Sequence, residues 1–154
     1  MSVFVANEQS EDVELAGLRA LAELVLAEEG YQPDTEMTLL LVDEDEMTGY
    51  NRRFLERDGP TDVLAFPVEV LIPGVVPEHD PLGPPLMLGD VVISPTYVRR
   101  QATKLEVTFE DEMALMVAHG VLHLIGYDHT NDSDAEQMEQ RERELLAKVG
   151  RVRR

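Results

Sequence analysis

The sequence predicts an α+β fold for this 154-residue chain, with a small mixed sheet of about four strands and about five helices. Hydrophobic residues recur at helical spacing in five segments, and four other segments are the short apolar runs that are typical of strands. These segments do not alternate regularly enough for a doubly wound sheet. Because a chain of this length can bury a sizeable core by itself, we expect a single domain over residues 1–154.

Three strands and two helices are predicted in the N-terminal half. The strands cover residues 2–6, 36–42 and 62–70, and the helices run from Ser10 to about Glu29 and from Asp43 to about Glu56. Asp43 with Glu46 three residues later is a capping signature, because an N-cap carboxylate accepts a hydrogen bond from a backbone N–H of the first turn. Gly59 and Pro60 are turn residues, and they separate the second helix from the third strand.

One strand, three helices and a long loop are predicted in the C-terminal half. The strand covers residues 90–93, and the helices begin after Ser94, Thr108 and Ser133. Five prolines in residues 71–88 forbid regular structure there, so this segment is predicted to be a proline-rich loop within the domain. The helix after Thr108 is apolar nearly all round, which predicts a central position, and Gly126 stands where a left-handed residue would end it.

The composition excludes several classes of function. The chain has no cysteine, which excludes disulfides, thiolate metal sites, iron–sulfur clusters and cysteine nucleophiles. The first residues lack the basic and apolar regions of a signal peptide, and no apolar run approaches the ~20 residues that span a bilayer. We therefore expect a cytoplasmic protein that does not act at a membrane.

The charge distribution is uneven. Thirteen basic residues against 31 acidic ones give a net charge of −18, which repels polyanions at long range, and we expect no binding to DNA. Twelve of the thirteen basic residues fall in three short segments, which either form a local positive patch or are solvated helix faces that balance neighbouring glutamates. The twelve are Arg52, Arg53 and Arg57; Arg99, Arg100 and Lys104; and Arg141, Arg143, Lys148, Arg151, Arg153 and Arg154.

Three of the four histidines lie within eleven residues, in the segment HGVLHLIGYDH. His119 and His123 are four residues apart, which places both on one helix face with Cβ atoms roughly 5–6 Å apart. Gly126 can end the helix and turn the chain back, so that His129 approaches the first two histidines. Three neutral imidazoles leave the fourth position of a tetrahedral zinc ion to water, as in catalytic zinc sites. The spacing thus predicts one zinc ion at the end of the central helix, although other divalent transition metals also bind histidine. His79, in the proline-rich loop, is expected to be incidental.

The residue after His119 distinguishes two kinds of hydrolase. The pattern H-x-x-x-H-x-x-G-x-x-H has the ligand spacing of the metzincin proteases, in which a glutamate after the first histidine is the general base. Here that position is Gly120. Phosphodiester cleavage needs chiefly an oriented nucleophile and positive charge at the phosphate, so it is favoured over peptide hydrolysis. The sequence does not assign a general base or another catalytic residue.

Three separated motifs carry a resemblance to a known family. Together with the histidine segment, PTDVLAFP (residues 60–67) and LGDVVIS (residues 88–94) resemble the YbeY family of bacterial single-strand-specific metallo-endoribonucleases. The resemblance covers roughly residues 39–146. It implies an α+β fold, a zinc ion on the three histidines, and single-stranded ribosomal RNA as substrate. It also implies a role in 16S rRNA 3′-end maturation and ribosome quality control, with the ribosome or assembly factors as partners.

One position departs from the family pattern. Proteins similar to this one usually have an arginine that serves the phosphate at the position of Leu55. Arg53, Arg57 and Arg100 are therefore the candidates for RNA binding. Two acidic residues are candidates to orient a ligand ring: Glu112, seven residues before His119 on roughly the same helix face, and Asp128, beside His129. Each could equally be a solvated carboxylate.

The preferred hypothesis is a zinc-dependent endoribonuclease that acts on single-stranded ribosomal RNA. A metalloprotease is the alternative enzyme, and Gly120 disfavours it. A ribosome-assembly factor with a purely structural zinc ion is the non-catalytic alternative. The high negative charge predicts weak, salt-sensitive binding to naked RNA.

Overall fold

Four strands and five helices form the fold in the computed structural model, which describes residues 2–154. The strands are β1 (Ser2–Glu8), β2 (Glu36–Val42), β3 (Val63–Pro67) and β4 (Met87–Ile93). The helices are α1 (Leu15–Glu28), α2 (Glu44–Leu55), α3 (Pro95–Leu105), α4 (Phe109–Leu124) and α5 (Asp132–Ala147). The predicted α+β class is confirmed. None of these helices is both long and apolar enough to cross a membrane.

The sheet is mixed and has the strand order β1-β2-β4-β3. The pairs β1–β2 and β2–β4 are parallel, whereas β3 runs antiparallel to β4 at the edge of the sheet. The register of β2 against β4 shifts between Glu36 and Thr38, beside Gly89. Gly89 has a φ of 129°, and a Cβ there would overlap the carbonyl oxygen of Phe66. A glycine is thus required where β3 and β4 approach each other closely.

Helix α4 lies at the centre of the molecule, as its apolar sequence predicts. It packs against β3 and β4 on one side and against α1, α3 and α5 on the others. Met116, Val117, Val121 and Leu122 are among its buried residues. Helix α2 covers the opposite face of the sheet, where Met47 packs with Val42 and Val92 in a smaller cluster. The strongly buried α4 therefore provides a rigid support for whatever its C-terminal end carries.

Two predicted helix starts are confirmed by capping contacts, and two others are wrong. Asp43 accepts a hydrogen bond from the Glu46 N–H at 2.8 Å, and Thr108 accepts one from the Asp111 N–H at 3.1 Å. Helix α1 begins at Leu15 and not after Ser10, because the Gln9 side chain holds residues 9–11 in a turn. Helix α5 begins after Asn131 rather than Ser133. The Asn131 side chain accepts a hydrogen bond from the Asp134 N–H at 2.9 Å and so caps the helix two residues earlier.

The two strands beside the proline-rich segment also differ from their predicted lengths. Strand β3 ends at Pro67 and not at residue 70, with one further bond from the Val68 N–H to the Leu88 carbonyl at 2.9 Å. Strand β4 begins at Met87, so its first two residues fall within the predicted loop 71–88. Ser94 precedes α3 as predicted, but its hydroxyl makes no capping hydrogen bond. Pro95 in the first turn begins this helix instead.

Candidate metal centre and cleft

The C-terminal end of α4 turns back on itself at Gly126, which has a φ of 112°. The Gly126 N–H donates to the carbonyl of His123 at 3.1 Å, and the Tyr127 N–H donates to the carbonyl of Leu122 at 3.0 Å. These two bonds form a Schellman motif, which uses a left-handed residue to close a helix. A Cβ at Gly126 would overlap the carbonyl oxygen of Leu71, so no other residue fits. The predicted helix end is therefore confirmed, and the chain returns toward the last turn of α4.

The turn brings the three predicted histidines together. One nitrogen from each of His119, His123 and His129 lies within 4.8 Å of the other two. The ring centroids are 4.7 Å apart for His119 and His123, 4.9 Å for His123 and His129, and 5.6 Å for His119 and His129. Nitrogens that share one tetrahedral zinc ion lie roughly 3.3–3.4 Å apart. Small side-chain rotations would therefore let the three rings hold one metal ion. Three imidazole nitrogens are a suitable donor set for a divalent transition metal. His79 is not part of the group.

A buried glutamate from α5 fixes one of the rings. The Glu142 carboxylate, whose side chain is 1% exposed, lies 2.7 Å from Nδ1 of His119. Its other oxygen accepts a hydrogen bond from Nε of Arg153 at 2.8 Å. A histidine bonded to a carboxylate through Nδ1 presents Nε2 to a metal ion, and this contact fixes the tautomer and the ring orientation. Glu142 was not among the predicted residues; its position four residues after the apolar Met138, on the apolar side of the predicted helix, is the signal that could have indicated it.

The electrostatics of the group favour neutral imidazole at His123 and a charged carboxylate at Glu142. Burial, together with the neighbouring His119 and His129, lowers the pKa of His123 to about 4. This ring is thus neutral at pH 7, the form in which imidazole binds metals. Burial raises the pKa of Glu142, but hydrogen bonds and charge interactions with His119 and Arg153 outweigh burial and lower it.

The two acidic candidates from the sequence contact other groups. Glu112 is buried, but it accepts hydrogen bonds from Gln101 at 2.7 Å and from Arg154 at 2.8 Å, so the structure does not bring it to a histidine ring. Asp128 accepts a hydrogen bond from the backbone N–H of His129 at 2.8 Å. Tyr127 also holds this turn, because its hydroxyl donates to Glu29 at 3.2 Å. Asp128 therefore orders the backbone that carries His129.

The histidines line a cleft of 710 Å³. Its walls come from the end of α2, the edge strand β3 with the chain that follows it, the last turns of α4, the turn 126–129, and Arg153 and Arg154. Gly120 faces away from the cleft and toward the sheet. A Cβ there would lie 2.5 Å from Cγ1 of Val91 and 3.2 Å from Cγ2 of Val63. The position at which metzincins carry their general base is thus closed to any side chain.

A family model and individual relatives that match this chain carry the same description. Residues 4–150 match a family model described as "Endoribonuclease YbeY". A relative from Acidothermus cellulolyticus that bears this name is 42% identical over 95% of this chain and 90% of its own length. Another from Nocardia farcinica is 40% identical over 90% of this chain and 74% of its own length. The chain belongs to the endoribonuclease YbeY family.

The fold of this YbeY-family chain is also found among solved structures. The solution structure of a protein from Thermotoga maritima is 28% identical and superposes with a TM-score of 0.59. The comparison covers 96% of this chain and 91% of the other chain. The arrangement of helices around the small sheet is thus shared with an experimentally determined structure.

Most of the basic residues are paired with carboxylates, as expected for charged faces that balance neighbouring acids. Nine of the thirteen lie within 4.0 Å of a carboxylate oxygen: Arg52, Arg99, Arg100, Arg141, Arg143, Lys148, Arg151, Arg153 and Arg154. Among the three candidates for RNA binding, Arg100 pairs with Glu44. Arg53 lies over the rings of Tyr50 and Phe54. Arg57 lines the cleft with the histidines.

The position of the family's expected arginine also lies in the cleft. Leu55, the last residue of α2, is 42% exposed and lines the cleft beside Arg57. Asn51, one turn earlier in α2, also lines the cleft and donates a hydrogen bond to the carbonyl of Gly59. Arg57 is thus the basic candidate that the structure places with the histidines.

Proposed function

We propose that this chain is a metal-dependent, single-strand-specific endoribonuclease in which His119, His123 and His129 bind one zinc ion. The observation that carries the proposal is the convergence of three histidine nitrogens in an open cleft of a YbeY-family chain. The absence of cysteine leaves nitrogen and oxygen donors, and another divalent transition metal would fit the same set.

The side chains of the cleft have distinct roles in this proposal. When bound, the metal ion supplies positive charge at the scissile phosphate and makes the attacking group a better nucleophile. Glu142 holds His119 in one orientation, and Arg57 attracts the phosphate backbone into the cleft. Attack by water or by the RNA's own 2′-hydroxyl leaves different termini, which product analysis distinguishes.

We further propose that the substrate is ribosomal RNA in the cytoplasm, and that the activity serves 16S rRNA 3′-end maturation and ribosome quality control. The motifs of the family support this assignment. The net charge of −18 supports a partner, because so acidic a protein binds naked RNA weakly at physiological salt. The ribosome or an assembly factor would present the single strand to the cleft.

The test compares His123→Ala with His79→Ala, a control that removes a histidine outside the metal group. Both variants and the parent protein are incubated with single-stranded RNA, duplex RNA and casein, with and without added zinc, and bound metal is measured by elemental analysis. We expect zinc-dependent cleavage of single-stranded RNA by the parent and by His79→Ala. His123→Ala should lose bound zinc and at least a hundredfold in activity, roughly the loss expected when the electrostatic stabilisation at the reacting group is removed.

Three results would contradict the proposal. Cleavage of casein in place of RNA would assign the cleft to a protease. If the protein binds zinc but does not cleave RNA, even when the 3′ end is presented on ribosomal particles, the zinc ion has a structural role. Equal activity of His123→Ala and the parent protein would show that the histidine group is not needed for cleavage.

A further inference from the structure

Three aromatic rings form a cluster beside the cleft. Tyr50 and Phe54 of α2 lie 6.2 Å apart between centroids, with an angle of 21° between their planes. Phe66 of β3 completes the cluster at 5.1 Å from Phe54 and 6.0 Å from Tyr50. Phe54 is 53% exposed although it is a large apolar side chain. The chain has only four phenylalanines and four tyrosines, so this cluster holds three of its eight Phe and Tyr side chains.

Of the arginines without carboxylate partners, Arg53 lies against the rings and Arg57 lines the cleft. Arg53, Arg57, Arg19 and Lys104 are the basic residues that have no carboxylate oxygen within 4.0 Å in residues 2–154. The guanidinium of Arg53 lies 5.4 Å from the centroid of Phe54 and 5.9 Å from that of Tyr50. An unpaired guanidinium group beside an exposed ring is a combination that can bind phosphate and base together.

The aromatic cluster and the histidine cleft lie on the two faces of the same edge strand. Along β3, Val63 and Ala65 pack toward α4, and Leu64 and Phe66 pack toward α2. Leu55 and Arg57 follow Phe54 directly in the chain and line the cleft. Since no further strand pairs with β3 in the described sheet, its edge is open between the two surfaces. Phe54 thus contacts Phe66 on the α2 side of this edge, and Arg57, three residues later in the chain, lines the cleft on the other side.

We propose that Phe54, with Tyr50, Phe66 and Arg53, is a stacking platform for an unpaired base of the RNA strand whose phosphate lies in the cleft. Base stacking does not depend on the net charge of the protein. It therefore supplies affinity for RNA that the negative electrostatic potential of this acidic chain does not provide. It also requires a base that is free of a duplex, which makes the platform a determinant of single-strand specificity. The inference rests on the proposed function and extends it to a second contact with the same substrate.

The absence of tryptophan gives a direct test. Phe54→Trp places a single indole at the platform, and Phe4→Trp places one on β1, at the opposite edge of the sheet. Phe4 is matched in exposure, at 56%. Both variants are titrated with a single-stranded oligoribonucleotide, its abasic counterpart and a duplex. We expect the base-bearing single strand to quench Phe54→Trp and not Phe4→Trp, while the abasic strand and the duplex leave both unchanged.

Cleavage kinetics give the second measurement. Phe54→Leu keeps an apolar side chain but lacks the ring, so the fold is retained and stacking is lost. We expect about a fivefold to tenfold rise in KM for single-stranded RNA, the lower part of the range for a lost stacking aromatic, and recovery in Phe54→Trp. Arg52→Ala, at a neighbouring arginine that pairs with Asp58, is the control and should keep the parent KM.

The outcomes separate this inference from the proposed function. If the parent cleaves RNA while Phe54→Leu keeps its KM, or if the abasic strand quenches Phe54→Trp as strongly as the base-bearing one, the platform is refuted and the endoribonuclease proposal stands. If the parent neither binds nor cleaves single-stranded RNA, whether free or presented on ribosomal particles, both are refuted. Specific quenching with a raised KM supports the platform.

Discussion

The two ends of the cleft differ in how their charged groups are satisfied. At the histidine end, the carboxylate of Glu142 is 1% exposed, and Arg153 bonds to it at 2.8 Å. At the α2 end, the nearby Arg57 has no carboxylate partner among the described residues, and Phe54 is half exposed. Buried, fully bonded groups fix a geometry, whereas exposed, unpaired groups remain available to a ligand. The contrast between the two ends supports the proposals that the histidine end holds a metal ion and that the α2 end binds substrate.

The largest effect is expected from Glu142→Ala, because it leaves the Arg153 guanidinium and the His119 ring without their buried partner. Removal of one member of a buried ion pair costs about 3–5 kcal/mol of unfolding free energy. Loss of a carboxylate that orients a metal ligand lowers metal affinity roughly tenfold to a hundredfold. Urea unfolding and zinc titration measure both quantities.

Glu139→Ala is the matched control for Glu142→Ala. Glu139 lies one turn earlier on α5, its side chain is 45% exposed, and it makes only longer ion pairs, with Arg143 at 3.8 Å and with Arg153 at 3.7 Å. Its loss should change stability by no more than about 1 kcal/mol and leave zinc affinity unchanged. Equal effects of the two substitutions would show that Glu142 does not position the ligand.

Two helical glycines, one in α4 and one in α2, test whether the histidine-bearing helix is packed more tightly than α2. Gly120 in α4 has no room for a Cβ against the buried Val91, whereas Gly49 in α2 has no atom within 4 Å of that position. Overpacking should outweigh the gain in helix propensity, so Gly120→Ala should lose about 1–2 kcal/mol of unfolding free energy. Gly49→Ala should gain about 0.5–1 kcal/mol. Thermal unfolding of both variants gives the comparison, and a stabilised Gly120→Ala would contradict the close packing of α4 on the sheet.

The smallest effect is expected at Leu55, where an arginine would add positive charge to the α2 end of the cleft. Leu55→Arg should lower KM for single-stranded RNA roughly threefold to tenfold and steepen its salt dependence by about 0.7 in log–log slope, the value for one added phosphate contact. Leu105→Arg is the control, because Leu105 also ends a helix and is 43% exposed, but does not line the cleft. The same gain in both variants would indicate a general charge effect and not a contact in the cleft.

Much of the fold follows from local signals in the sequence. The caps at Asp43 and Thr108 depend on side chains that bond to a backbone N–H three residues away, and such contacts need no tertiary structure. The predicted start of α1 was wrong, since the Gln9 side chain accepts a hydrogen bond from the Glu11 N–H and holds residues 9–11 in a turn. The ends of β3 and β4 depend on pairing between strands, which periodicity alone does not determine.

By itself, the sequence determined that His119 and His123 share a helix face and that Gly126 returns the chain toward them, because the helical repeat and a left-handed glycine are local properties. Only the tertiary structure decided which groups surround these histidines. Glu142 reaches His119 from 23 residues along the chain. The tertiary structure also decided that most arginines neutralise carboxylates, whereas Arg57 lines the cleft. Side-chain partners of this kind depend on how helices pack, and spacing along the chain does not record that packing.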